Sequence, residues 1–218
     1  MNKFPGLLVV VFFVQMVYAQ EEDNAKKILD QVSEKMGAYT NMQLDFSITL
    51  INKDAGIEKG DEPPINGKIA LKGEKYNLEY LGNTFIFDGN KLFVINHDDR
   101  EITITEGDLS EDDGFIYPSK LLTFYQEGYN YQMGQLELID KKKIQFVELF
   151  PIDSNSEIIK VKLGIDLEFQ HMYQLVQIGE NGAITKLTIN KLESNTSISD
   201  SLFQFDQAKY EELDYLID

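Results

Sequence analysis

The stretch Phe85–Ile95, "FIFDGNKLFVI", decides the fold. Two apolar runs flank Asp88-Gly89-Asn90-Lys91, and Gly89 and Asn90 tolerate the positive φ of a two-residue hairpin loop. That loop pairs Asp88 with Lys91, Phe87 with Leu92, Ile86 with Phe93 and Phe85 with Val94. Successive pairs face opposite sides of a sheet. Phe85, Phe87, Leu92 and Val94 therefore share one face, and Ile86, Phe93 and Ile95 the other. Antiparallel hairpins commonly wet one face and bury the other. Both faces are apolar here, so something must cover each.

Strand signals continue on both sides. Leu44, Phe46, Ile48 and Leu50 alternate with Asp45, Ser47 and Thr49, the period of a half-buried strand. Lys68–Lys72 and Tyr76–Tyr80 are the next strands, the second with Tyr76, Leu78 and Tyr80 on one face. After the hairpin come Ile102 and Ile104, then Tyr129–Met133, Leu136–Ile139, Ile144–Phe150, Ile158–Leu163, Tyr173–Ile178 and Ile184–Leu192, with Phe203 and Phe205 closing the series.

Two segments break this rhythm. Glu21–Met36 places Ala25, Ile28, Leu29, Val32 and Met36 on one helical face, with Gly37 as a stop. Tyr117–Gly128 reads as a short helix opening at Pro118 and Ser119, with Leu121, Leu122 and Tyr125 at helical spacing. The plan is one helix, about ten or eleven antiparallel strands and a short helical insertion, with no repeat and no interdomain linker. The fold class is mainly β (α+β): a single, strongly curved antiparallel sheet.

Bulk composition bounds the function. The chain has 218 residues, 43% of them hydrophobic, enough for one domain with a real core. Its formal charge is −17, with 37 acidic against 20 basic residues. Nucleic-acid binding rests on phosphate neutralisation by Lys and Arg, so the balance argues against it, and equally against anionic lipid surfaces. Met1–Ala19 has Lys3, an apolar run from Leu7 to Val17 and a Val17-Tyr18-Ala19 cleavage pattern. It reads as a signal peptide over residues 1–19 with the exported chain starting at Gln20. With no cysteine in the sequence, neither a disulfide nor a lipid anchor at the cleavage point is available.

Catalytic signals are sparse. The sequence has two histidines: His97 lies among acids in a turn, and His171 has no ligand spacing around it. Asp108, Ser110 and Asp112 fall short of a calcium loop, because the Gly comes one place late and Ser119 stands where the closing Glu belongs. No nucleophile elbow, zinc-helix motif or phosphate loop occurs, so no catalytic residue, metal or cofactor is expected. The positive anomaly is apolar. A curled sheet with a helical roof encloses either a solid core or a hydrophobic cavity.

Several segments, in order, resemble the periplasmic outer-membrane lipoprotein carrier protein family, LolA. They are "YTNMQLDFSITL" after the helix, "GKIALKGEKYNLEY", "NTFIFDGNKLFVIN", "YPSKLLTFYQEGYNY", "ITKLTI" and the late "LFQFD". The resemblance covers most of residues 20–218 and implies an incomplete β-barrel covered by an N-terminal helix and a helical lid. It also implies a soluble, monomeric periplasmic carrier, not an enzyme, that shields lipoprotein acyl chains between an inner-membrane lipoprotein-releasing transporter and an outer-membrane acceptor. On it, Leu44, Phe46, Tyr76, Leu78, Tyr80, Phe85, Phe87, Leu92 and Val94 are expected to line the lipid cavity, and Leu121, Leu122 and Tyr125 to form the lid. The other hairpin face is expected to pack on the N-terminal helix. The chain departs from the family at Gly73, at or near the place of an Arg that bonds the lid shut; the only arginine here is Arg100. A lid without that latch would be held by apolar contact and backbone hydrogen bonds. The alternatives are the same architecture binding another amphiphile, such as a glycolipid, and a secreted hydrolase using two carboxylates.

Overall fold

The computed structural model describes residues 23–108 and 118–218. The expected leader 1–19, Glu21 and Glu22 of the expected first helix, and residues 109–117, including Tyr117 of the expected covering helix, lie outside the described residues.

Helix α1 spans residues 23–37. The strands follow: β1 (Met42–Ile51), β2 (Ile65–Lys72), β3 (Lys75–Tyr80), β4 (Asn83–Phe87), β5 (Lys91–Asn96), β6 (Glu101–Glu106), β7 (Tyr129–Ile139), β8 (Lys142–Pro151), β9 (Ile158–Asp166), β10 (His171–Gly179) and β11 (Ile184–Ser194). A second helix, α2 (Gln207–Glu212), and a two-residue strand, β12 (Leu216–Ile217), end the chain. All strands join one sheet in the order β12-β6-β5-β4-β3-β2-β1-β11-β10-β9-β8-β7. Every pairing is antiparallel except β12 on β6. The sheet does not close: β7 and β12 are its two edges. It is an incomplete barrel, with bulges in β1–β11, β9–β10 and β7–β8 that add bend and twist.

The hairpin has the register its sequence dictates. Phe85 pairs with Val94, Ile86 with Phe93 and Phe87 with Leu92. Asp88 N–H donates to Lys91 O at 3.1 Å. The Asp88 carboxylate accepts from the Asn90 and Lys91 N–H groups, both at 2.8 Å. Only Gly89 takes a positive φ, +98°; Asn90 does not need one.

The main core lies on the concave side. Ala25, Leu29, Val32 and Met36 of α1 pack with Leu44, Phe46, Leu78, Phe87 and Leu92, and with Val147, Leu163 and Leu175 from the far half of the sheet. The helix therefore fills the hollow. This corrects the expectation that α1 covers the other hairpin face. That outer face, Ile86, Phe93 and Ile95, joins Ile102 in a separate cluster capped by Phe205, Tyr210, Tyr215 and Ile217. The C-terminal segment is the second cover. Its Asp206 caps α2 by accepting from Lys209 N–H at 3.1 Å, and Phe205 stacks on Phe93 with 4.6 Å between ring centres. Phe203 and Phe205, read as a closing strand, instead sit in and just after a 3-10 turn, Asp200–Phe203. Leu136–Ile139 is not a separate strand but the continuation of β7 across its bulge.

Candidate functional site

A small apolar cavity of about 60 Å³ lies in the concave face. Its floor comes from alternate residues of adjacent strands: Leu44, Phe46 and Ile48 of β1, Ile69 of β2, Leu78 and Tyr80 of β3, and Leu187 and Ile189 of β11. Register explains the grouping. Leu44 stands opposite Ile69, Ile69 opposite Leu78, and Ile48 opposite Leu187, so their side chains share one face. Pro118 and Leu121 close it from above.

The expected wall residues divide into two groups. Leu44, Phe46, Leu78 and Tyr80 line this cavity. Tyr76, Phe85, Phe87, Leu92 and Val94 belong to the same concave cluster as α1 but do not line the cavity. Ile48, Ile69, Leu187 and Ile189 line it without having been singled out in the sequence. For Ile48 the alternation in β1 was the signal. Ile69 was masked by the continuous run Ile69-Ala70-Leu71, all three buried, which shows no period.

The covering segment is not one α-helix. It makes two 3-10 turns, Pro118–Lys120 and Phe124–Gln126, separated at Thr123, whose φ of −128° leaves helical space. So short a segment nucleates an α-helix poorly, and 3-10 geometry is common in such pieces. Leu121 reaches the cavity, while Leu122 and the buried Tyr125 pack on the core beside it.

Side-chain hydrogen bonds also hold this segment, contrary to the expectation of apolar contact and backbone bonds alone. Tyr125 Oη donates to Asp30 Oδ1 of α1 at 3.2 Å, and Tyr131 Oη donates to Tyr125 O at 2.6 Å. On the N-terminal side, the fully buried Tyr76 donates to Asp108 Oδ1 at 2.6 Å. Gly73 stands in the two-residue β2–β3 turn at φ +59°, a conformation an arginine would strain to adopt. Arg100 occupies a turn at the opposite side of the hairpin, where its carbonyl accepts from Leu216 N–H.

Burial raises the pKa of Tyr76, Tyr80, Tyr125, Tyr129 and Tyr210 above the ordinary tyrosine value. Tyr173 is pushed up to about 12, by burial first and then by its hydrogen bond to Asp140. The fold thus favours the protonated phenol. These groups contribute full stability below about pH 10, the unfolded value, and lose it as pH rises toward the folded value. The urea midpoint is expected to fall steadily between about pH 10 and 12. Urea melts across that range check this, and a flat midpoint would contradict it.

Among the described residues no cluster of three or more His, Asp or Glu could hold a metal ion, and no helix is long and apolar enough to cross a membrane. Asp200 is pulled below the usual carboxylate range by a hydrogen bond from Lys72 on the surface, the opposite shift from that of a general acid.

No protein-family model and no curated protein matches the chain. Solved structures do. An uncharacterized conserved protein from Thermus thermophilus is similar over 89% of this chain and 98% of its own, at 10% identity and a TM-score of 0.58. The Mycobacterium tuberculosis lipoprotein LppX matches 82% of this chain and 98% of its own, at 15% identity and a TM-score of 0.51. A LolA superfamily protein from Nitrosomonas europaea is among the similar structures, at 14% identity, 83% and 97% coverage and a TM-score of 0.41. The first two likenesses show a shared fold; the third is too loose to carry an argument.

Proposed function

We propose that this incomplete barrel is a carrier of acyl chains, and that its cargo is lipoproteins moved across the periplasm from an inner-membrane releasing transporter to an outer-membrane acceptor. The observation that supports it is the apolar cavity under a separately tethered cover. Each buried CH₂ is worth roughly 0.8 kcal/mol, so acyl chains need a shield to cross water. No reaction is part of this reading. The carrier works as a monomer and is exported by removal of residues 1–19.

At about 60 Å³ the cavity holds no acyl chain. Ligand sites run to roughly 300–1,000 Å³. The closed form is therefore the resting state, and room comes from moving the cover. Leu121, Leu122 and Tyr125 lift away and the chains take over their contacts with the floor. Binding then shifts the population toward the open form by the difference in lipid affinity between the two states. α1, packed along the same hollow, extends the space once displaced.

Tyr125→Phe tests this. It keeps the ring and deletes the bond to Asp30, a loss of about 1 kcal/mol, or roughly fivefold in the opening equilibrium. Faster hydrogen exchange over 118–128 and a severalfold higher affinity for palmitic acid are expected. Wild-type protein saturated with palmitic acid is expected to change its exchange in the same segment and in α1. Identical exchange there with and without palmitic acid would overturn the reading.

A further inference from the structure

The two edges of the sheet differ. At one, the C-terminal β12 adds in parallel to β6, where Leu216 N–H donates to Arg100 O and Asp218 N–H to Ile102 O, both at 2.9 Å. At the other lies β7, 11 residues long, and among the described residues no strand pairs along its outer side. An open edge is usually guarded by lysines or a proline. β7 has neither, and Glu137 is its one charge. Leu136 and Leu138 on it stand 56% and 72% exposed.

The bulge in β7 keeps one face of this edge apolar along its length. Met133 stands opposite Val147 and Leu136 opposite Gln145, so Gly134 and Gln135 together face Phe146 alone. That extra residue puts Tyr131, Met133, Leu136 and Leu138 all on the concave side, with Val147 and Leu149. The bulge is firmly held: a Cβ at Gly134 would stand 3.0 Å from Phe146, and Gln145 Nε2 donates to Gly134 O at 2.8 Å. Tyr131 and Met133 pack on the core, while Leu136 and Leu138 continue their row into solvent. Free N–H and C=O groups beside a row of apolar side chains suit an extended polypeptide, which satisfies both at once. A bilayer would leave the backbone groups without partners. A second copy paired so that Leu136 meets Leu138 would set Glu137 against Glu137, a repulsive pair. Position favours the cargo. The cover runs directly into β7 through Gly128, and Tyr131 Oη donates to Tyr125 O, so the edge begins at the mouth of the hollow. A lipoprotein carries its acyl chains on its N-terminal residue, and the residues that follow leave the mouth beside this edge.

We infer that β7 takes the extended N-terminal segment of a bound lipoprotein as an added strand, with alternate side chains of that segment resting beside Leu136 and Leu138. The inference rests on the acyl-carrier reading and adds a polypeptide site to it. Calorimetric titration with an N-decanoyl peptide of alternating valine and serine, about ten residues long, tests it against N-decanoylglycine, which has the same tail and no strand. The peptide is expected to bind about tenfold tighter. The same peptide N-methylated at alternate residues, on whichever strand face removes its donors toward β7, is expected to lose that advantage. The protein carrying Leu136→Lys with Leu138→Lys is expected to lose it too, while binding N-decanoylglycine within about twofold of wild type. Both leucines are exposed, so the fold survives the change. Equal binding of the peptide and N-decanoylglycine overturns the edge site and leaves the carrier intact. A peptide advantage that survives both sets of N-methylation, or the double substitution, overturns strand addition at β7. Binding of neither compound overturns the carrier reading and this inference with it.

Discussion

Leu78→Asp is expected to abolish binding of a fluorescent fatty acid and to lower stability by roughly 3–5 kcal/mol. Leu78 is 9% exposed, lines the cavity and stands between Ile69 and Phe85 in the sheet. The aspartate would lose the leucine's packing and place a carboxylate where no partner waits. Against a total stability of about 5–15 kcal/mol, that loss alone can unfold the protein. Leu187→Asp separates folding from binding. Leu187 lines the same cavity but is only half-buried, so a carboxylate there keeps part of its hydration in the empty protein and loses it when chains enter. This variant is expected to keep the wild-type circular dichroism spectrum and to bind the fatty acid at least about tenfold more weakly, since a carboxylate facing the chains costs over a kcal/mol. A folded Leu187→Asp protein with wild-type affinity would show that chains do not enter this cavity.

Ending the chain at Gln204 is expected to cost about 3–6 kcal/mol, from the loss of the buried Tyr210 and the packed rings of Phe205 and Tyr215. The uncovered face, Ile86, Phe93, Ile95 and Ile102, would bind a hydrophobic dye and promote association. Urea melts give the first effect, and dye fluorescence with sedimentation the second. A truncated protein with unchanged midpoint and no dye binding would mean that this tail does not support the hairpin.

That tail also marks what a sequence conceals. The hairpin was legible because Asp88-Gly89-Asn90-Lys91 fixes a turn, and a turn fixes register for every residue up the strands. Leu44, Phe46, Leu78 and Tyr80 were legible as one wall because alternation names a face directly. The β11 side of the wall was not, since β1 and β11 are joined by pairing across about 140 residues and nothing local records it. The C-terminal cover follows neither a period of two nor of 3.6: Phe205, Tyr210, Tyr215 and Ile217 are scattered among acids. Asp206 ahead of Gln207-Ala208-Lys209 was the readable sign of a helix start there. Two apolar faces announced two covers; which segment supplied each was a tertiary fact. Tyr76, Phe85, Phe87, Leu92 and Val94 carry the same pattern as the cavity wall, and only tertiary packing separates packed core from free space.

The most direct measurement is native mass spectrometry of the protein isolated from its own cells, followed by organic extraction and mass analysis of whatever travels with it. The carrier account predicts a population heavier than the exported chain by an acylated molecule, which is lost when Leu187 is replaced by Asp. Protein recovered only at the mass of its own chain, together with an extract that contains no acyl chains, would contradict it.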